Sequence, residues 1–211
     1  MMKVLVVTGG IGSGKSEVCR ILAKKGLKAQ YDADRKVKDL YSALPDLVGS
    51  IEVGLGCRLR DGEGRFVPQL LAQRIFSDRE ALETVESLVF PALMADFRSF
   101  ADDADEDNII VFESATILEK PQFNGFGDKV LLVDAPVQIR LERACARDGA
   151  DREKIKARMG NQKLMNFLSE GGSDPRIDAV VVNDASIEEL ERKVDEVMCG
   201  LFGDWRKDIV Y

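Results

Sequence analysis

The stretch Gly9-Gly10-Ile11-Gly12-Ser13-Gly14-Lys15-Ser16 constrains the fold of this chain more than any other. It fits G-x-x-x-x-G-K-[ST], a spacing that lets backbone N–H groups converge on a polyphosphate. The apolar run from Lys3 to Thr8 precedes it and reads as a buried parallel strand. Glu17 to Lys25 follows, with Val18, Ile21 and Leu22 on one helical face. Strand, glycine loop, helix is the context the spacing requires, and it commits the start of the chain to a parallel α/β arrangement. The expected nucleotide-binding set is Gly10, Ile11, Gly12, Ser13, Gly14, Lys15, Ser16 and Glu17. The loop and the positive end of the next helix cradle the phosphates. Lys15 reaches the β- and γ-phosphates, and the Ser16 hydroxyl ligates Mg²⁺.

Two competing motifs fail. A dinucleotide fingerprint starting at Gly10 needs a third glycine where Lys15 stands. A guanine signature Asn-Lys-x-Asp is not met by Asn161-Gln162-Lys163-Leu164. The net charge of −7 argues against a nucleic-acid partner, which needs many phosphate contacts. The four cysteines are widely spaced and there is no histidine, so a zinc site is not expected and acid–base work falls to carboxylates, lysine or tyrosine. No signal peptide or membrane-spanning run is visible, so no membrane association is expected and the cytoplasm is the expected compartment.

Further along, Gly26 stops the first helix, and Leu27 to Tyr31 reads as a second strand ending in Asp32-Ala33-Asp34. A helix over 35–42 is expected next, then a mainly helical stretch over 45–107. Within that stretch, residues 54–64 read as a glycine-rich turn, Pro91 interrupts a helix over 81–100, and 102–107 form an acidic loop. Strands are expected over 108–112, 129–133 and 179–182, closed by Glu113, Asp134 and Asn183. Helices are expected over 137–147 and 151–159, and Gly171-Gly172-Ser173 reads as a flexible break. A long helix over 186–202 has Ser186 as N-cap with Glu189 three residues on. Lone Trp205 reads as terminal packing. The result is a doubly wound α/β fold with a five-stranded parallel sheet, and ligands are expected beyond the carboxyl ends of its strands.

Three further clusters carry alternatives. Asp32 and Asp34 could orient and deprotonate an acceptor hydroxyl, or cap the following helix. Arg140, Arg143 and Arg147 share a helical face, either as a lid over a nucleotide or as a solvated surface. Glu113 and Glu119 could hold Mg²⁺ through water or bind a substrate hydroxyl, or could simply sit at the positive end of a helix.

Thr8 to Ser16, Asp32-Ala33-Asp34, Arg143 with Arg147-Asp148-Gly149, Gln162, Asp178 and Asn183, in that order, resemble the dephospho-CoA kinase family over nearly the whole chain. The resemblance implies a P-loop fold of the nucleoside and nucleotide kinase kind, formed as one domain. Its core would be 1–44, 108–136 and 171–211, with a helical CoA-binding insertion over 45–107 and a lid over 137–170. It implies phosphorylation of the ribose 3′-hydroxyl of dephospho-CoA by ATP and Mg²⁺. Asp34, Lys15 and Arg143 would be catalytic, Arg147 and Asn183 would lie on the nucleotide, and Asp32, Asp34, Glu119 and Arg140 on the substrate. The chain departs from the family at Phe90-Pro91, where His-Pro is usual, over Phe112 to Glu119, and at Arg140, where glutamine is common. A monomer or weak homo-oligomer is expected.

Two rival readings remain at this level. A nucleoside monophosphate kinase of similar fold would phosphorylate a phosphate and would not need Asp34 as a base. A regulatory or assembly ATPase would normally carry an apolar strand ending in Asp-Glu, whereas Ile109 to Phe112 ends in Glu113-Ser114.

Overall fold

The computed structural model describes residues 2–76, 78–104 and 109–205. In chain order its elements are β1 (Lys3–Thr8), α1 (Lys15–Lys24), β2 (Gln30–Asp32), α2 (Ala33–Ala43), α3 (Pro45–Leu55), α4 (Pro68–Ile75), α5 (Arg79–Asp103), β3 (Ile109–Glu113), β4 (Lys129–Asp134), α6 (Val137–Asp148), α7 (Arg152–Gly160), α8 (Lys163–Ser169), β5 (Ala179–Val182) and α9 (Ile187–Phe202). Short 3-10 turns lie at Ile117–Glu119 and Pro121–Phe123. The chain divides into two compact units, one running to Asp32 and resuming at Ala104, the other spanning Ala33–Asp103.

In the first unit the strands form one sheet in the order β2-β3-β1-β4-β5, and every pairing is parallel. Parallel strands buried on both faces need apolar residues at nearly every position. Leu5, Val6, Val7, Ile110, Val111 and Phe112 meet that need at 0% exposure. One face packs Leu5, Val7, Val111, Leu131 and Val133 on α1 and on Leu190, Val194 and Met198 of α9. Trp205 joins this core at 2% exposure, in keeping with its expected packing role. The Ser186 hydroxyl accepts from the Glu189 N–H and starts α9, as its capping pattern requires. With β1 central between β3 and β4, the strand order reverses beside the glycine loop, which is where open α/β sheets bind ligands.

The second unit is α2 to α5. Its spine is α5, which buries Ala81, Val85, Val89, Leu93, Phe97 and Ala101 as one stripe at every fourth residue.

Several expectations are corrected. Pro91 does not interrupt α5, which runs through it. An interior proline costs about 3 kcal/mol, but both Pro91 and Ser87, whose carbonyl loses its donor, are exposed, and the buried stripe continues across them. Strand β2 is shorter and later than expected. Leu27 is 3% exposed and its N–H donates to Leu22 O while Gly26 N–H donates to Ala23 O, so this residue closes α1 in a Schellman turn and strand pairing begins at Gln30. Gly54 belongs to α3 and not to the turn. The turn that follows is an ordered hairpin: Arg60 pairs with Phe66, and the Asp61 carboxylate accepts from the N–H groups of Glu63 and Arg65. Helix α8, which packs Met165 inward, was not expected. Asp102 and Asp103 close α5; the rest of the expected acidic loop, 105–107, and Asn108, the expected start of β3, lie outside the described residues.

Candidate active site

The glycine loop joins β1 to α1 at the centre of the sheet. Gly12 has φ +75°, and a Cβ there would stand 2.0 Å from the carbonyl oxygen of Arg140. Gly14 has φ +96°, and a Cβ there would stand 2.1 Å from Nδ2 of Asn183. Only glycine tolerates both the left-handed backbone and these approaches. Gly14 caps α1 without any side-chain hydrogen bond, the arrangement that leaves first-turn N–H groups to an anion. Lys15 folds over the loop, its Nζ donating to Gly9 O at 3.0 Å and Gly10 O at 3.3 Å. A cation held there stands over the cradle, independent of the backbone donors.

The neighbouring strand ends supply oxygen. Ser16 Oγ donates to Glu113 Oε1 at 2.9 Å, and Glu113 closes β3 directly opposite Asp32 of β2. Behind them Cys19 is buried; burial pushes its thiol well above the usual range, and the nearby Glu113 carboxylate adds to the shift. It is therefore an inert packing thiol. Sequence reasoning named Glu113, with Glu119, as a candidate for Mg²⁺ or a substrate hydroxyl, but gave no partner for it. Its pairing with Ser16 depends on β3 lying beside β1, which local sequence does not reveal.

On the other side, Asn183 clamps the loop. At 7% exposure its Nδ2 donates to Ser13 O at 3.0 Å and its backbone N–H to Asp134 O at 2.7 Å. Its carbonyl and Oδ1 accept from Nη1 and Nη2 of Arg143 at 3.0 and 3.4 Å. Asn183→Ala removes the Nδ2 bond to Ser13 O and the longer Oδ1 contact to Arg143, and leaves the backbone carbonyl that holds Arg143 Nη1. It is expected to cost about 1–3 kcal/mol of stability, and a thermal melt that matches the parent would contradict this.

The loop tip is gripped as well. The Ile11 N–H donates to Oε1 of buried Gln162 at 2.8 Å, and the Ile11 side chain packs on Leu141, Ala144, Ile155 and Met159 of α6 and α7. Arg140 lies here too, 4% exposed, against Gly10 and Gly12. Glu119 is placed beside α8, accepting from the Leu164 N–H at 3.1 Å. Glu17 pairs with Arg20 on the outer face of α1.

Arg147 is more open. It and Arg158 both bond the Asp148 carboxylate. The Arg147 hydrogen bond, with Arg158 adding to it, holds that carboxyl down at about 2. A depressed carboxyl pKa stabilises above the ordinary Asp range and loses its effect only as pH falls toward 2. These arginines are therefore tied to Asp148 at any neutral pH until a stronger anion competes.

Asp34 occupies the first turn of α2, in the helical unit, just after Asp32 in the chain. There it lines a cleft of about 860 Å³ together with Lys38, Tyr41, Arg60, Arg65 and Phe66. The Tyr41 and Phe66 rings lie 5.0 Å apart. Arg60 is fixed by Glu52 Oε2 at 3.2 Å and Pro45 O at 2.8 Å. A cleft of this size suits a large small-molecule ligand. Its aromatic pair and ordered hairpin escaped sequence reasoning, because they assemble from α2 and a turn that looked featureless.

A family model described as dephospho-CoA kinase (CoaE) matches residues 3–189. A dephospho-CoA kinase of Porphyromonas gingivalis is 38% identical over 180 residues, which cover 82% of this chain and 84% of that one. The crystal structure of TT1252 from Thermus thermophilus superposes with a TM-score of 0.80 at 28% identity, covering 96% of this chain and 99% of the other. The fold is also that of the dephospho-CoA kinase from Campylobacter jejuni, with a TM-score of 0.54 at 22% identity over 95% of this chain and 97% of that one.

Proposed function

This chain belongs to the dephospho-CoA kinase family, and from that premise we propose that it transfers the γ-phosphate of ATP to the ribose 3′-hydroxyl of dephospho-CoA, giving coenzyme A. The observation that carries the reading is Asp34 on the wall of a large cleft, in a chain whose other unit holds a complete phosphate loop. The cleft offers Lys38, Arg60 and Arg65 to an anionic acceptor and Tyr41 with Phe66 to its flat or apolar parts.

In this mechanism the loop backbone and Lys15 bind the triphosphate. Asp34 orients the acceptor hydroxyl and takes its proton. Asp32 and Glu119 serve the acceptor side, Glu119 through α8, whose first turn it holds. Arg143, anchored by Asn183, and Arg147, once drawn off Asp148, neutralise phosphate charge. The Asn183 loop lies near the adenine.

Ser16 and Glu113 fit a hard divalent cation, since a hydroxyl and a carboxylate oxygen stand 2.9 Å apart beside the loop. Mg²⁺ takes few protein ligands and the rest from phosphates and water. When bound, it would supply charge neutralisation to the nucleotide phosphates. Glu113→Gln is expected to raise the half-saturating Mg²⁺ concentration by roughly tenfold. An unchanged Mg²⁺ titration at fixed ATP would limit Glu113 to orienting Ser16.

The cytoplasm suits this activity and the four free cysteines. Among the described residues no helix is long and apolar enough to cross a membrane.

The decisive assay is ADP release from Mg-ATP with dephospho-CoA, offered beside AMP, CMP, UMP, adenosine and shikimate. Turnover with dephospho-CoA and a product with the mass of CoA is expected. Turnover with a nucleoside monophosphate alone would reassign the cleft to another acceptor.

A further inference from the structure

Arg140 is a charged side chain placed where stability alone gives no reason for it. Its side chain is 5% exposed, and its nearest anion, Asp134 Oδ1, stands 3.8 Å from its Nε, beyond hydrogen-bond distance. Neither that Nε nor that Oδ1 makes a hydrogen bond to the described residues. The Asp134 side chain is 40% exposed, so only the guanidinium is taken out of water, and a contact without good hydrogen bonds does not recover that cost. The position of the guanidinium suggests what it is for. A Cβ on Gly10 would stand 2.1 Å from Nη1 of Arg140, and a Cβ on Gly12 would stand 2.0 Å from its backbone oxygen. The residues on either side of the loop tip therefore both rest on Arg140. It is fixed in turn by α6, its N–H donating to Pro136 O at 3.0 Å.

We propose that Arg140 is a positioning residue for the nucleotide: its guanidinium backs the phosphate loop at Gly10, adding a buried positive charge and a rigid wall behind the N–H donors, with Asp134 as its counter-charge. The charge is worth more here than at the surface, because water is excluded between it and the loop. Of the two placements the sequence offered, a face over the nucleotide and the acceptor side implied by the resemblance, this favours the nucleotide side. The inference rests on the loop being the ATP site, so ATP binding by the parent protein is established first.

The test is a double-mutant cycle on Arg140→Met and Asp134→Asn. It is read by calorimetric Kd for Mg-ADP, by KM for ATP and for dephospho-CoA, and by thermal melting. The Asp134 side chain is 40% exposed, so its carboxylate stays hydrated in Arg140→Met and that single variant is expected to melt near the parent. The double variant removes both charges and is expected to keep the parent's melting temperature while its Kd for Mg-ADP and KM for ATP are raised about tenfold, as in Arg140→Met. Arg140→Lys, which keeps the charge without the fork, is expected to stay within about threefold of the parent. KM for dephospho-CoA should not move in any variant. A double variant that binds Mg-ADP like the parent would overturn the proposal and leave the pair structural, as would a loss confined to KM for dephospho-CoA. A parent protein that binds no nucleotide would instead overturn the functional reading on which the proposal stands.

Discussion

Asp34→Asn is expected to lower kcat for dephospho-CoA phosphorylation by about 10²–10⁴-fold, the contribution typical of a positioned general base. The chain has no histidine, so the proton of the acceptor hydroxyl must go to a carboxylate, lysine or tyrosine. Of the two carboxylates that line the cleft, Asp39 lies farther along α2, and Asp34 lies in its first turn. Asparagine keeps its shape and can still orient a hydroxyl, but it cannot accept the proton at neutral pH. KM for ATP is expected to change little, because the nucleotide loop belongs to the other unit. Stability is expected to fall by less than about 1 kcal/mol, the value of one exposed acidic residue in a first helical turn. Steady-state kinetics and a thermal melt on one preparation separate these effects. A variant that retains the parent's kcat but melts early would make Asp34 a helix-start residue and turn attention to Asp32.

Lys15→Ala should remove about 10²–10³-fold from kcat, comparable to losing one preorganised donor at a site of developing charge. Lys15 Nζ sits on the carbonyls of Gly9 and Gly10, so the parent holds its cation over the loop before any ligand arrives. Little rearrangement is then needed when the γ-phosphate carries transition-state charge. Lys15→Arg is an informative companion, because a planar fork cannot occupy the seat of a compact ammonium between two carbonyls. Both variants should fold, since Lys15 is only half-buried and the loop is still held by Asn183 and Gln162. If Lys15→Ala keeps kcat within a few-fold of the parent, backbone N–H groups and the metal alone carry the electrostatics.

The phosphate loop was legible because everything it needs is local. Glycine conformations, the α1 start and the preceding apolar strand are all encoded within the first 25 residues. The bounds of β1, β4 and β5 and the cap of α9 were equally plain, since each follows from a contiguous apolar run or a capping residue. Local signals misled where a longer contact outweighed them. Pro91 reads as a helix break, yet the stripe from Ala81 to Ala101 buries enough apolar surface to carry α5 through it. Leu27 reads as strand, yet it is drawn into the core to close α1.

The chain's own sequence determined that a polyphosphate is bound, that the surrounding fold is a doubly wound parallel sheet, and which family the chain resembles. Those conclusions need only spacing, periodicity and order along the chain. The tertiary structure alone decided the partners: Glu113 on Ser16, Asn183 on Ser13 and Arg143, Gln162 on Ile11, and Arg140 against Gly10. Each of these contacts joins residues roughly a hundred or more positions apart, apart from the Asn183–Arg143 bond at 40, and exists because the parallel sheet places β3 and β4 on either side of β1. Strand order is set by the packing of whole elements, which no local window of sequence contains.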